Sequence, residues 1–272
     1  MPELPEVETI LRGLAPHLTG ACIVDGRVHF PKLRREIPDL RSHCQGQIIQ
    51  SLSRRAKTLR FHFDHGCLLM HFGMSGKALL RPYNRPKIAH NHASLLFETQ
   101  VLDYVDPRRF GAIDWSDDPQ GSHYTLQGLG PEPLAPDFTG TYLYTRAQSS
   151  RRAIKNIIMD ATVVTGVGNI YATEALFLAG IAPHQPGHTL QLLQLERLVK
   201  TIGSVLKTAI AQGGTTLKDF AWGENQPGYF QQDLKVYGRK NQACVQCQHP
   251  IQTQSIGQRT SAWCPQCQPW DE

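Results

Sequence analysis

Four cysteines constrain this chain more than any other feature. Cys244 and Cys247 form one Cys-x2-Cys pair, Cys264 and Cys267 form a second, and sixteen residues separate them. Such a step turns two thiolates to one side of a tight turn, and two steps close a tetrahedral Zn²⁺ site. Two disulfides or redox motifs are the other uses of this spacing. The polar link, with Trp263 in it, and an intracellular setting favour zinc. Four thiolates leave no open coordination position, so the expected role is one structural ion per chain. The chain end should then fold as a zinc-stapled hairpin from about residue 240. Cys22, Cys44 and Cys67 stand alone among apolar neighbours and are expected to be small buried hydrophobes in a reducing compartment.

The 272 residues, 40% hydrophobic and 19% charged, suit a folded chain of one large or two ordinary domains. No apolar run approaches the roughly 20 residues of a membrane helix. The opening Met-Pro-Glu-Leu-Pro-Glu-Val-Glu-Thr is acidic and has no apolar stretch, so it does not read as a signal peptide. A secreted disulfide scaffold, a membrane protein and a disordered tail protein are all disfavoured. The net charge of +5 is unevenly spread. Residues 51–90 hold eight Lys or Arg and one acid, whereas 91–145 hold two bases and eight acids. The segment 146–160 returns to +3. A basic face of this kind attracts a polyanion, or is a solvated face balanced by its acidic neighbour.

Residues 5–15 place Val7, Ile10, Leu11 and Leu14 at helical spacing, with Gly13, Pro16 and Gly20 expected to mark the end. From about residue 21 to 115 the pattern is that of strands. Leu59, Phe61 and Phe63 alternate with polar residues, then Leu68, Met70 and Phe72, and Glu98-Thr99-Gln100 reads as a hairpin turn. Residues 116–140 collect Gly, Pro, Asp and Ser and read as a linker. Beyond it the chain is helical: two helices flank Gly166-Val167-Gly168, and an apolar stripe from Leu192 to Ile210 ends at Gly213-Gly214. The expected layout is α+β and multidomain: a β-rich domain with a leading helix, a helical domain and a zinc hairpin.

Pro2 is a chemical feature in its own right. Removal of Met1 before a small residue is expected, and it leaves a secondary amine at the N-terminus. With a pKa near about 8, an α-amino group is partly neutral at pH 7. A neutral amine attacks electrophilic carbon and, when secondary, forms an iminium. Glu3 and Glu6 follow at once and supply carboxyl groups for proton transfer. The same residues equally suit an ordinary helix start.

The string Pro2-Glu3-Leu4-Pro5-Glu6-Val7-Glu8-Thr9 resembles the start of the formamidopyrimidine-DNA glycosylase family, bacterial base-excision enzymes that remove oxidised purines. The resemblance continues through Arg54-Arg55-Ala56-Lys57, His71-Phe72-Gly73-Met74-Ser75-Gly76 and Asp106-Pro107-Arg108-Arg109-Phe110-Gly111. It resumes at Gly130-Pro131-Glu132-Pro133, Gly166-Val167-Gly168-Asn169-Ile170-Tyr171, Gly213-Gly214-Thr215-Thr216-Leu217 and Pro227-Gly228-Tyr229-Phe230. It closes with Val236-Tyr237-Gly238-Arg239 and Gln258-Arg259. The resemblance implies an N-terminal β-sandwich over 1–115 and a linker over 116–140. A helix-two-turn-helix domain over 141–235 and a four-Cys zinc finger over 236–270 would follow. It also implies a bifunctional DNA glycosylase/AP lyase, a monomer on damaged double-stranded DNA, with no small-molecule cofactor, working in the cytoplasm at the nucleoid.

By the same resemblance, Pro2 is the nucleophile at C1′ of the damaged nucleotide. Glu3 handles protons at the sugar, and Glu6 supports the same site. Lys57 matches a lysine near the lesion and its phosphates, conventionally the proton donor for β-elimination. Arg259 matches the conventional donor for δ-elimination, yet an arginine pKa above about 12 makes phosphate clamping the easier role. A stacked base must be flipped out before the amine can reach its sugar. Met74, Arg108 and Phe110 match a three-residue plug that fills the gap, with Arg108 facing the orphaned base. His90, Arg151, Lys155 and Asn169 match DNA-contact positions. The loop 217–237 is expected to cover the flipped base, and Trp222 sits in it where a more polar stretch is usual. Asn156 replaces a common Pro and Thr162 a common Lys. An endonuclease VIII-like enzyme for oxidised pyrimidines is the nearest rival, but Leu4 stands where that branch usually has Gly. A non-catalytic DNA-binding protein is the rival of another class.

Overall fold

A computed structural model describes residues 2–84, 86, 88–214 and 234–270. The chain separates into two units. The first runs to Gln127 and also takes in Gly213 and Gly214. The second holds Gly128–Gln212 and the described residues from 234 onward.

The first unit opens with helix α1, Leu4–Leu18. Val7, Ile10, Leu14 and Leu18 recur on one face and are fully or almost fully buried. The helix passes through Gly13 and Pro16 rather than stopping there. A proline in the last turn forfeits one N–H bond, while Thr19 N–H still reaches Ala15 O at 3.1 Å and Leu18 gains core burial. A short helix, α2 (Leu40–Cys44), is capped by the Asp39 carboxylate, which accepts from the N–H groups of Arg41 and Ser42.

Two antiparallel sheets follow. One has strand order β2-β3-β4-β8, from Ser51–Arg55, Thr58–Phe63, Gly66–His71 and Ala112–Ser116. The other has order β1-β6-β7-β5, from Asp25–Val28, Asn91–Leu96, Gln100–Val105 and Lys77–Pro82. Leu59, Phe61 and Phe63 of one sheet share a core with Leu80, Leu95, Leu102 and Tyr104 of the other and with the apolar face of α1. This is the expected sandwich with a leading helix. Cys44 and Cys67 are buried in it, and burial pushes both thiols up to about 12. Cys22 departs from expectation and is exposed. It bridges Ile48 while the alternate residues Ile23 and Ile49 turn inward, so the strand period of two turns Cys22 out.

The second unit contains α3 (Gly140–Gln148), α4 (Ile154–Ile158), α5 (Asn169–Ala179) and α6 (Leu192–Ala211). Leu195, Leu198, Ile202, Leu206 and Ala209 of α6 pack with Leu143, Ile157, Ala172 and Leu176. Strands β9 (Gln252–Ile256) and β10 (Arg259–Trp263) make the terminal hairpin. Its two-residue turn, Gly257-Gln258, has φ of 56° and 61° at successive positions, as a tight hairpin of right-twisted strands requires. Phe177 of α5 joins Val236, Ile251 and Ala262 in the core of this module. The buried Glu174 carboxylate accepts backbone N–H bonds from Lys235, Val236 and Tyr237 at 2.8, 3.0 and 2.8 Å, fixing the chain where it enters the module.

Candidate functional site

Pro2 is buried immediately before α1. Glu3 is the N-cap and Glu6 the third helical residue, and the two form a capping box. Glu3 N–H donates to Glu6 Oε2 at 2.8 Å. The two residues are only 1% and 4% exposed, which is rare for carboxylates. The free N–H groups and the dipole of the helix favour negative charge at this end. Gly214 lies against the same group: a Cβ there would stand 2.9 Å from Glu6 Oε1, and its φ is +77°. Gly214 thus serves close approach to the Glu6 carboxylate, whereas the sequence pattern alone assigned the glycine pair to the end of a helix.

Lys57 is half-buried in the two-residue turn between β2 and β3. The preceding Ala56 has φ +54°, a left-handed conformation that costs a non-glycine residue. Arg54 holds it there: Nη1 donates to Ala56 O at 2.7 Å while Nε pairs with Glu8 Oε2 of α1 at 3.1 Å. His71 sits opposite Thr58 in register, and its Nδ1 is 3.1 Å from Lys57 O. Burial, then the Lys57 charge, hold the His71 pKa below its ordinary value, so it is neutral beside the lysine. His71 was not among the sequence-assigned site residues. Its signal was its place in the His-Phe-Gly-Met-Ser-Gly string.

Met74, His90, Arg108 and Phe110 come from three loops of the first unit. Met74 and Phe110 are 38% and 46% exposed, so Phe110 is not a core residue. The Arg108 guanidinium lies 4.9 Å from the Phe110 ring centroid. Arg108 and His90 are exposed, and His90 has φ +61°. Its carbonyl accepts the Asp106 N–H at 3.0 Å, which brings His90 to the loop that carries Arg108.

The remaining assigned residues lie in the second unit. Arg151 is exposed, and Arg259 is exposed as the first residue after the hairpin turn. Lys155 requires a correction. It is 0% exposed, and its ammonium donates to Ser261 Oγ at 2.6 Å and Thr260 O at 3.2 Å. A buried cation is tolerated only where such partners replace water, so Lys155 anchors the hairpin beside Arg259 and is not positioned as a phosphate contact. Asn169, at the start of α5, donates its Nδ2 to the same Thr260 carbonyl at 3.1 Å. The loop 217–237, expected to cover the flipped base and carrying Trp222, lies almost wholly outside the described residues.

The Sγ atoms of Cys244, Cys247, Cys264 and Cys267 all lie within 4.8 Å of one another. Cys244 and Cys267 are 3.8 Å apart, and Cys247 and Cys264 are 3.4 Å apart. A disulfide needs about 2.05 Å. Four thiolates at about 2.3 Å from a tetrahedral ion have edges near 3.8 Å, so the set fits one structural Zn²⁺.

Comparisons with known proteins agree with this geometry. Residues 1–113 match the model of the formamidopyrimidine-DNA glycosylase N-terminal domain, and 129–221 that of its H2TH domain. Residues 241–269 match a zinc finger found in FPG and IleRS. The chain is 46% identical to the formamidopyrimidine-DNA glycosylase of Cellvibrio japonicus and 47% to that of Psychromonas ingrahamii. Each match covers 98% of this chain and 100% of the relative. Two Lactococcus lactis FPG structures, one with Fapy-dG-containing DNA and one with abasic-site DNA, are 32% identical over 99% of this chain and 100% of theirs. Their TM-scores are 0.92 and 0.91.

Proposed function

Because the chain belongs to the formamidopyrimidine-DNA glycosylase family, bifunctional DNA glycosylase/AP lyases of base excision repair, we propose that Pro2, freed by removal of Met1, is its nucleophile on oxidised purines in duplex DNA. The amine attacks C1′ of the flipped nucleotide and the base leaves with its bonding electrons and a proton. The C1′–O4′ bond then opens, O4′ taking a proton while the nitrogen lone pair forms the iminium, and the iminium acidifies C2′–H. Loss of that proton expels the 3′ phosphate, and a second elimination expels the 5′ phosphate. Glu3 handles protons at the sugar ring, while Glu6 holds the Glu3 backbone and so the amine's surroundings. Lys57 serves the first elimination beside the lesion's phosphates. Arg259, permanently charged, steadies the departing phosphates. Met74, Arg108 and Phe110 fill the gap left by the flipped base. Arg151, His90 and Asn169 bear on the DNA backbone, Asn169 also through the hairpin. Lys155 acts by positioning that hairpin, and the zinc ion by folding it. Genomic DNA as substrate puts a monomer to work at the nucleoid.

The observation that supports this reading most is the pair of buried carboxylates locked at the amino end of α1 directly after Pro2. A solvated helix start has no need to bury them. The test is incubation with duplexes carrying single oxidised bases in the presence of borohydride. A trapped covalent complex is expected on oxidised purines and abasic sites. It should be lost in Pro2→Gly and in protein with an uncleaved N-terminal extension. Trapping by the extended protein would overturn the nucleophile. Trapping on oxidised pyrimidines alone would move the substrate to the other branch of the fold.

A further inference from the structure

We propose that Asp106, acting through Ser75, couples the loop carrying Met74 to the loop carrying Arg108 and Phe110, and so sets discrimination of the base opposite the lesion. This rests on the assignment of those three residues as the plug. Asp106 is 0% exposed although its carboxylate lies next to an exposed loop. Oδ1 accepts the Ser75 hydroxyl at 2.5 Å and the Arg108 N–H at 3.2 Å, and Oδ2 accepts the Gly111 N–H at 2.8 Å. Ser75 Oγ in turn accepts the Arg108 N–H at 3.3 Å. The Asp106 backbone is equally tied. Its N–H donates to His90 O at 3.0 Å, and its carbonyl accepts from His92 Nε2 at 3.0 Å and Arg109 N–H at 3.3 Å.

One carboxylate therefore grips the backbone on both sides of Phe110 and the neighbour of Met74. A buried carboxylate with these donors is a rigid hub. Two loops that move independently would have to be ordered separately when they enter the duplex, at a cost in side-chain and loop freedom. With Asp106 in place they enter as one body, and the Arg108 guanidinium keeps a fixed height relative to the two wedges. An arginine reads donors and acceptors on a base edge only when so held. Asp106 and Ser75 are positioning residues. Neither is assigned a contact with DNA.

The readout is the ratio of lesion excision opposite cytosine to excision opposite adenine, which divides out any general loss of activity. Arg108→Ala is expected to lower the ratio. Ser75→Ala should lower it about fivefold, the scale of one lost hydrogen bond, and Ser75→Thr, which keeps the hydroxyl, should restore it. The Ser75→Ala/Arg108→Ala double variant should be no worse than Arg108→Ala, because both act on one element. Asp106→Asn should behave like Ser75→Ala wherever its melting curve shows it folded. If Arg108→Ala lowers the ratio but Ser75→Ala does not, or if the two losses multiply, the coupling is wrong and the plug stands. If Arg108→Ala leaves the ratio unchanged, the plug assignment fails and the coupling with it.

Discussion

Arg54 shows how far a charge can be from the role its neighbours suggest. It belongs to the most basic stretch of the chain, yet its side chain is only 11% exposed. Its guanidinium joins three things: the Glu8 carboxylate on α1, the Ala56 carbonyl and, through that turn, Lys57. Arg54→Ala removes the bond to Glu8 and the bond to the Ala56 carbonyl that helps hold the left-handed turn. The expected loss is about 2–4 kcal/mol in chemical denaturation, from about 1.5–3 kcal/mol per charged hydrogen bond discounted for partial exposure. Arg54→Lys should keep the pairing with Glu8 but not the second bond, and so recover only part of that loss. A neutral outcome for Arg54→Ala would mean that the turn holds itself.

The hairpin β9–β10 is the element on which metal, helices and Arg259 meet. The four thiolates fix its base, while Lys155 and Asn169 converge on the Thr260 carbonyl next to Arg259. Lys155→Met removes the charge and keeps most of the volume. It should leave zinc content at one per chain but slow strand cleavage at a preformed abasic site by about tenfold, since the hairpin loses a charged anchor of more than about 1.4 kcal/mol. Zinc removal by a chelator should cost more, because the module then loses its fold. The cysteine set was legible in the sequence because chelation is local: four ligands and two short steps define it. The role of Lys155 was not, because a lysine's charge is visible in sequence and its burial is not. Asp106 was equally hidden as a hub, since Ser75, His90 and His92 reach it only after the strands pair. Of the three residues expected to mark the end of α1, Gly20 does so and Pro16 does not: Pro16 marks where one bond is lost, and burial of Leu18 outweighs it.

At the scale of the whole molecule, the charge count needs revision before it is used on DNA. Arg54 and Lys155 are engaged within the protein, while Arg108, Arg151 and Arg259 are exposed. Affinity for DNA falls with salt by about 0.9 log units per log unit of salt for each phosphate neutralised. Arg151→Ala should therefore lower the slope of log K against log salt by about one, and Arg54→Gln should leave that slope unchanged. Equal slopes for the two variants would return Arg54 to the DNA-facing set.

The order in which the chain is made bears on its N-terminal chemistry. Gly214 approaches Glu6, yet 207 residues separate the two in the sequence. At about 5–20 residues per second, synthesis delivers Gly214 some 10–40 s after the first helix has emerged. Through that interval the nascent protein carries the Glu6 carboxylate without the backbone that later lies against it. The amino end of this chain is completed late, so on the proposed assignment of Pro2 a ribosome stalled in the helical region would hold a nucleophile made before Gly214 reaches Glu6.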